Sequence, residues 1–416
     1  MAETLPFGAC GVNYVLRFIF ASLLYTRYTC ITSGTPHGAP NDGDVAMKLA
    51  RFKVKHYRSY RDEQEIVFAN TNVLIGPDNA GKSNFLQAIE LFFLTFEGDQ
   101  TLQAYKHDRD LPTGLASGRT SLTAVFQFDG ADKDDEILSE YESQRQKLNL
   151  PVIETKGIRI NLQFSEKNMP VYSIVFETRI PQPWKISDDF HSRQQDLIGK
   201  ILRRFCVTYM PAGRELKRLP AKNIVEVVKQ EIADQIKVFV DEVGYQPQFV
   251  SQELNRILSI IGMSGINVFF EPPVSSVEQA TKFDNAFIDR SLGSLFENGM
   301  GMRWQMIASC VSWVSLSIKK RTGLRCLWLI EEPESYLHPE SFSKQRAACK
   351  RIGDNADMIY TTHSQGFVSP DLSHVNRVFL KDGQSTIMNF RTYEEAYLQI
   401  QSRQPSISSL TSPPVN

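Results

Sequence analysis

The sequence predicts an α/β protein with a mixed central sheet, and three short strand-like runs are the basis of this prediction. The runs are NVLI at 72–75, CLWLI at 326–330 and DMIYTT at 357–362. The first two are continuously apolar, which is typical of strands buried on both faces, as in parallel sheets, and the third follows them as another strand. Each run is followed closely by glycine, carboxylate or histidine residues. Because open α/β sheets bind ligands beyond the carboxyl ends of their strands, we expect one binding site there.

A glycine-containing loop follows the first run. Residues 76–83, GPDNAGKS, fit the pattern G-x-x-x-x-G-K-[ST], and residues 84–93 repeat apolar side chains at helical spacing. A strand, this loop and a helix in succession are the context of a true phosphate-binding loop, so the sequence predicts a P-loop NTPase. The residues expected to bind the nucleotide are Gly76, Pro77, Asp78, Asn79, Ala80, Gly81, Lys82, Ser83 and Asn84.

The parts of this loop have different chemical tasks. Backbone N–H groups, freed of side-chain bulk at Gly76 and Gly81, are expected to wrap the β-phosphate at a helix N-terminus. Lys82 is expected to reach the β- and γ-phosphates as a catalytic cation, and the Ser83 hydroxyl is placed to bind Mg²⁺. We therefore expect ATP and Mg²⁺ as cofactors.

Two adjacent carboxylates end the second run. Glu331 and Glu332 follow the apolar residues directly, and because side chains alternate along a strand, the two point in different directions. One carboxylate can hold magnesium through water, and the other can accept a proton from the attacking water. We assign Glu331 to the metal and Glu332 to the catalytic base. A solvated acidic turn is the alternative, and the apolar strand in front argues against it.

A histidine ends the third run. His363 follows residues 357–362 directly, and a histidine at the carboxyl end of a buried strand can sense a γ-phosphate. Taken alone, His363 would more often be a hydrogen-bonded core histidine. Its place after the acidic strand favours a catalytic role instead.

Three stretches together resemble a known group of proteins. LIGPDNAGKSN, LWLIEEPESYLHP and IYTTHS occur in the order and context of ABC-type ATPase heads. Within that group the chain resembles most the overcoming-lysogenization-defect (OLD) nucleases and the AAA15 and AAA21 ATPases, and KLARFKVKHYRSYRDEQEIVF is similar to their first hairpin. RecF and the SMC and Rad50 heads are similar at greater distance. The resemblance covers about 47–390 and implies an ABC-type head with flanking antiparallel strands and a helical insertion.

The resemblance also implies a homodimer that closes around two ATP molecules, with a signature loop of one protomer covering the γ-phosphate held by the other. The best candidate for this loop is 291–303, in which Gly299, Gly301 and Arg303 would contact the nucleotide. There is no LSGGQ sequence, and an ordinary loop–helix junction is the alternative. A Q-loop is expected near 207–214, where Arg214 could substitute for the missing glutamine.

The remaining segments complete the expected architecture. Alternating patterns predict antiparallel strands at 120–129, 157–165 and 171–180. A charged, solvated helix is expected at 132–147, and amphipathic helices are expected at 195–204 and 221–262. The predicted divisions are a leader at 1–46, a first ATPase lobe at 47–212, a helical insertion at 213–262, a second lobe at 263–396 and a disordered tail at 397–416.

The first 46 residues look unlike the rest of the chain. Residues 11–25 are apolar, but they contain Arg17 and are too short to span a bilayer, so we expect no membrane partner. Residues 32–44 have the composition of a linker. We expect Met47 to be the native start, or the leader to be dispensable.

Composition sets broad limits. The net charge of −1 gives no general attraction to nucleic acid or membranes, so a nucleic-acid partner would need a local patch. The six cysteines contain no C-x-x-C pair, which indicates a reducing cytosol and a cytoplasmic protein.

The resemblance leaves the biological output open. OLD nucleases carry a TOPRIM domain after the ATPase, and the stretch after His363 is too short for one. The D-x-D triplets Asp42/Asp44 and Asp108/Asp110 are expected to be surface acids. The leading interpretation is a dimerising ATPase switch that acts with DNA or a nuclease partner in repair or antiphage defence. The alternatives are an OLD-type endonuclease without its TOPRIM half and a nucleotide-gated scaffold with slow turnover; a transporter subunit is disfavoured.

Overall fold

The computed structural model describes ten main stretches of the chain and a few short pieces between 267 and 319. The main stretches are 47–97, 105–115, 118–128, 134–151, 157–176, 188–212, 248–260, 323–335, 339–368 and 374–390. The leader, most of the helical insertion and the tail therefore lie outside the described residues, and their predicted boundaries stay predictions.

Fourteen strands are described. They are β1 (Met47–Lys55), β2 (Gln64–Val67), β3 (Thr71–Ile75), β4 (Ser121–Phe128), β5 (Gly157–Phe164), β6 (Pro170–Ile174), β7 (Phe205–Met210), β8 (Phe269–Phe270), β9 (Ala286–Asp289), β10 (Gly293–Ser294), β11 (Arg325–Ile330), β12 (Asp357–Thr362), β13 (Val375–Lys381) and β14 (Gln384–Phe390). The helices are α1 (Lys82–Glu97), α2 (His107–Asp110), α3 (Asp135–Lys147), α4 (Asp188–Leu202), α5 (Gln248–Ile260) and α6 (Phe342–Asn355). Short 3₁₀ turns occur at Pro339–Ser341 and Gln365–Phe367.

The central sheet has six strands in the order β14-β13-β3-β12-β11-β7. Strands β13, β3, β12, β11 and β7 run parallel, and β14 is antiparallel to β13. The three runs are therefore neighbouring strands of the mixed central sheet that the sequence predicted. Their carboxyl ends meet at one edge of the sheet, which brings the segments after β3, β11 and β12 together.

A second sheet is wholly antiparallel, with the order β2-β1-β4-β5-β6. This confirms the flanking strands, although β6 is shorter than the alternating segment from which it was predicted. Strand β1 buries Phe52 and Val54 and exposes Arg51 and Lys55, so one of its faces packs in the core and the other meets solvent. A three-stranded sheet of β10-β9-β8 is also described.

Helix α1 packs between the two larger sheets and contacts strands of both. Phe85 and Phe92 of α1 meet Phe52 of β1 edge to face, with ring centroids 5.8 and 5.6 Å apart. Burial of each such side chain contributes about 1.5–3 kcal/mol. The helix that follows the phosphate loop is therefore held from both sides.

The prediction of a solvated helix after β4 was only partly right. Helix α3 begins at Asp135, but it buries Ile137, Tyr141, Gln144 and Arg145. The Lys200 ammonium of α4 contacts the Glu136 carboxylate of α3 at 2.6 Å. Charged residues on this helix therefore serve a contact with a second helix as well as with water.

Candidate nucleotide site

The phosphate loop joins β3 to α1 and packs tightly against the β13–β14 hairpin. A Cβ atom at Gly76 would lie 2.0 Å from the carbonyl oxygen of Val378, and one at Gly81 would lie 2.1 Å from Ser385 Oγ. Gly81 has φ of +103°, and Asn79 has φ of +58°. The glycines are thus required by packing and backbone conformation, in addition to any phosphate.

Lys82 lies inside this loop with only 5% of its surface exposed. Its ammonium donates to the carbonyl oxygens of Gly76 and Pro77, at 2.9 and 2.8 Å. Burial lowers the pKa of Lys82, while the nearby carboxylates, Glu332 first among them, oppose that shift. An ammonium has three N–H donors, and the described contacts use two, which leaves one for a phosphate oxygen.

The start of α1 combines an exposed hydroxyl with a fixed amide. Ser83 is exposed, so its hydroxyl is accessible to a metal ion. The Asn84 amide nitrogen donates to Ser59 Oγ at 2.8 Å, and its oxygen accepts from Arg58 Nη1 at 3.3 Å. Asn84 is therefore engaged by the loop after β1, and its expected contact with nucleotide stays a prediction.

Glu331 lies just beyond β11, and the residue is 8% exposed. Its Oε2 accepts a hydrogen bond from the backbone N–H of Ala212 at 3.0 Å. Its Oε1 is buried and has no hydrogen-bond partner among the described residues. An orphaned buried carboxylate oxygen is costly, and a hydrated cation would satisfy it.

Glu332 faces a more open environment, next to His363. The Glu332 Oε1 and His363 Nδ1 atoms are 3.7 Å apart, and the His363 side chain is 51% exposed. Ser335 Oγ donates to Glu332 Oε2 at 2.9 Å. One ligand atom each of Asp78, Glu332 and His363 lie within 4.8 Å of one another. The sheet thus brings the loop, the acidic pair and the histidine into one site.

A third carboxylate, which the sequence reasoning left without a role, lies under this pair. Glu334 is 4% exposed, and Thr362 Oγ1 donates to its Oε1. Burial raises the pKa of Glu334, against the effect of the Thr362 bond. The run EEPE contains Glu334, but the sequence alone could not show which of its three glutamates would be the most buried.

Arg58 was also missed, because no role beyond its place in the first hairpin was assigned to this residue from the sequence. Its Nε atom pairs with Asp110 Oδ1 at 2.8 Å, and its Nη1 donates to Gln87 Oε1 of α1. Asp110 is fully buried and also pairs with Arg109 at 2.6 Å. The prediction that Asp110 is a surface acid was therefore wrong, whereas Asp108 is exposed. Two arginines stabilise a carboxylate that the loop-like sequence did not mark as buried.

Some expected site residues lie outside the described residues. They are Gly299, Gly301 and Arg303 of the signature-like loop, and Arg214. The described part of 207–214 ends at Ala212, whose N–H binds Glu331. The triplet Asp42/Asp44 also lies outside the described residues.

The described residues fit a magnesium nucleotide. Glu331 offers a buried oxygen without a partner, Ser83 offers an exposed hydroxyl, and Lys82 retains donor capacity toward a phosphate. Oxygen ligands of this kind suit Mg²⁺, which keeps most of its own water. Among the described helices, none is long and apolar enough to cross a membrane.

Comparisons with known proteins agree with this geometry. A family model described as an AAA ATPase domain (AAA_15) matches residues 47–186. The DNA replication and repair protein RecF of Streptococcus agalactiae serotype Ia is 36% identical over 83 residues, which are 18% of this chain and 22% of RecF. The chain thus matches less than a quarter of the length of that relative.

Solved structures show a similar fold. An SMC head bound to the C-winged helix domain of ScpA has a TM-score of 0.54 at 13% identity, covering 84% of this chain and 99% of that chain. The SMC head domain from Thermotoga maritima has a TM-score of 0.44 at 13% identity, covering 82% of this chain and 98% of that chain. Only the first of these two likenesses is close enough to indicate a shared fold. The chain therefore has the P-loop NTPase fold, and the family match supports an ABC-type ATPase head.

Proposed function

We propose that this chain binds ATP with Mg²⁺ and hydrolyses the bond between its β- and γ-phosphates. The observation that carries the proposal is the meeting of three residues: Lys82, at the start of α1 after the loop that follows β3, and Glu332 and His363, which follow β11 and β12. His363 Nδ1 lies 3.7 Å from Glu332 Oε1. Burial lowers the pKa of Lys82, and the Glu332 carboxylate is the charge that most opposes this lowering. These groups are far apart in the sequence and adjacent only in the fold.

Each residue has a distinct task in this proposal. Lys82 and the loop N–H groups neutralise phosphate charge, and Ser83 and Glu331 hold Mg²⁺, which supplies further charge neutralisation at the β- and γ-phosphates. Glu332 accepts a proton from the attacking water. His363 lies beside that carboxylate, where it can orient the water or contact the γ-phosphate.

We further propose that two copies close around two ATP molecules and that this closure is the switch. Support comes from the resemblance to ABC-type heads, in which the second protomer completes the site. Gly299, Gly301 and Arg303 are the candidate residues for the contact in trans. Light scattering with and without ATP tests this: an ATP-dependent dimer supports closure, and a monomer under both conditions contradicts it.

The proposed output acts on DNA or on a nuclease partner, in repair or antiphage defence. The alignment with RecF, a DNA replication and repair protein, supports DNA over other partners. The resemblance to OLD nucleases supports a nuclease, supplied by a partner or by a TOPRIM domain. ATP turnover measured with and without duplex DNA tests whether DNA is the partner. We expect DNA to stimulate turnover, and an unchanged rate at low salt would contradict a DNA partner.

The direct test of nucleotide binding is Lys82→Ala. Loss of a charge-assisted contact costs about 1.5–3 kcal/mol, so we expect ATP affinity to fall roughly 10–100-fold. Binding of a fluorescent ATP analogue measures this without depending on turnover. Lys53→Ala is the control, because Lys53 lies on β1 and pairs there with the exposed Glu63 at 2.7 Å. Equal affinities for wild type and Lys82→Ala would contradict the proposal.

A further inference from the structure

A continuous row of polar side chains leads from the loop after β1 to Glu331. Arg58 Nη1 donates to Gln87 Oε1, and Gln87 Nε2 donates to the Tyr209 hydroxyl at 3.0 Å. Arg58 is itself paired with the fully buried Asp110. The row thus crosses from the antiparallel sheet, over α1, to strand β7 of the central sheet.

The chemistry of these groups fixes the direction of every hydrogen bond. A guanidinium can only donate, so Arg58 must face the carbonyl oxygen of the Gln87 amide. The amide N–H₂ of Gln87 is thereby turned toward Tyr209, and the hydroxyl oxygen of Tyr209 accepts from it. The Tyr209 hydroxyl proton then remains for a second acceptor.

Glu331 is placed to be that second acceptor, because strand register puts it on the same face of the sheet as Tyr209. Tyr209 is paired in register with Leu329 of β11, and Glu331 follows Leu329 by two residues. Side chains two apart point to the same face of a sheet, so Tyr209 and Glu331 share the face that α1 covers. Tyr209 is 7% exposed, and Glu331 is one of the groups that raise its pKa after burial itself.

We propose that Tyr209 is a positioning residue that orients the Glu331 carboxylate toward Mg²⁺, and that Arg58 and Gln87 hold Tyr209 in the donating orientation. Ala212 N–H binds Oε2 of this carboxylate, which leaves the unpartnered Oε1 for the hydrated metal. The inference rests on the proposed function, since it assigns Tyr209 to position Glu331, the residue proposed to hold Mg²⁺. It adds a connection between the loop after β1 and the metal site.

The test is Tyr209→Phe, which removes the hydroxyl and retains the ring. Outer partners of metal sites typically contribute 10–100-fold to metal affinity, and we expect about a 10-fold rise in the Mg²⁺ concentration that half-saturates binding of a fluorescent ATP analogue. Affinity for the analogue in EDTA should not change, and kcat should recover at high Mg²⁺. Gln87→Met, which removes the amide, should shift the Mg²⁺ requirement in the same direction and less.

The matched control is Tyr105→Phe. The Tyr105 hydroxyl is also buried and bonds Thr120 Oγ1 at 2.8 Å, away from the acidic pair. We expect this variant to leave the Mg²⁺ requirement unchanged. An unchanged Mg²⁺ requirement in Tyr209→Phe, or an equal shift in both variants, overturns the inference. If wild type binds no ATP analogue at all, the proposed function fails first, and the two failures are thereby distinguished.

Discussion

Glu331 and Glu332 are adjacent in the chain, and the structure places them in different surroundings. The Glu331 residue is 8% exposed, accepts one backbone hydrogen bond and retains an unpartnered oxygen. The Glu332 side chain is 26% exposed and contacts His363 and Ser335. One carboxylate is held from within the protein, and the other is partly exposed. This difference suits the tasks proposed above, a metal-side acid and a proton acceptor.

Strand geometry and one backbone angle produce the difference. Glu331 continues the alternation of β11, and its N–H still bonds Met210 of β7 at 2.8 Å. Glu332 has φ of +40°, in the left-handed region, which costs a non-glycine residue roughly 1–2 kcal/mol. Its N–H is bonded to Thr361 of β12 at 3.1 Å. The neighbouring strand thus stabilises the turn that separates the two carboxylates.

The largest expected effect comes from Glu332→Gln. Removal of a general base typically lowers kcat by 10²–10⁴-fold, and ATP affinity should be retained because the loop is intact. Steady-state turnover and binding of a fluorescent analogue measure the two separately. Glu63→Gln is the control, since Glu63 lies on the surface beside Lys53. Turnover at the wild-type rate would contradict the assignment of Glu332 as the general base, and the proposed contrast between Glu331 and Glu332 would be lost with it.

Glu331→Gln should instead weaken the binding of Mg²⁺. We expect the Mg²⁺ concentration for half-maximal turnover to rise about 10–100-fold, with partial recovery of kcat at high Mg²⁺. A Mg²⁺ titration of turnover and of nucleotide binding gives this value. The same titration of Glu332→Gln by nucleotide binding should resemble wild type. If both variants shifted the Mg²⁺ requirement equally, the two carboxylates would not have separate tasks.

The pKa of Glu90, a residue of α1, tests how strongly burial and the Glu331 charge act on a neighbouring carboxyl. Burial and then Glu331 raise the pKa of Glu90 to about 8, and Arg58 opposes this. A carboxyl whose folded pKa is raised favours folding while it is protonated, and this contribution is lost as pH rises from its unfolded value through about 8. Glu90→Gln should therefore gain Tm relative to wild type as pH rises.

The measurement is thermal unfolding of wild type and Glu90→Gln at about pH 5 and about pH 9, where the linkage predicts a small and a larger difference. Each kcal/mol corresponds to about 2–4 °C in a domain of 150–250 residues. Glu63→Gln, on the surface, should show no such trend. A Tm difference that is the same at both pH values would contradict the raised pKa.

The sequence and the structure agree where the signal is local. Strand β3, its loop and α1 are contiguous, and β11 and β12 are short strands that end directly before Glu331 and His363, so local sequence pattern located all three strand ends. The hairpin of β13 and β14 was not predicted, although its turn has a known signature. Asp382 and Gly383 both have positive φ, and an Asp-Gly pair between strands favours this two-residue turn.

Agreement was lost where burial depends on distant partners. Asp110 lies in a loop-like stretch, and its pairing with Arg58 and Arg109, together with the hydrogen bond from the Lys106 N–H, offsets the cost of burying its charge. The row from Arg58 through Gln87 to Tyr209 joins three segments that no short motif connects. Sequence reasoning could place the ends of strands, and it could not place the side chains that cross between two sheets.

The smallest expected effect concerns the open side, at Ser335. Its hydroxyl donates to Glu332 Oε2 at 2.9 Å, so Ser335→Ala removes a bond that holds the base but no group that reacts. A hydrogen bond of this kind contributes about 0.5–1.5 kcal/mol, and we expect kcat to fall roughly 2–10-fold. Ser335→Thr keeps the hydroxyl and should retain most of the activity. The Mg²⁺ requirement should be unchanged in both variants, because Glu331 does not depend on Ser335. A shift in that requirement would mean that the two carboxylates are coupled, and the division of tasks between the buried and the open side would then have to be abandoned.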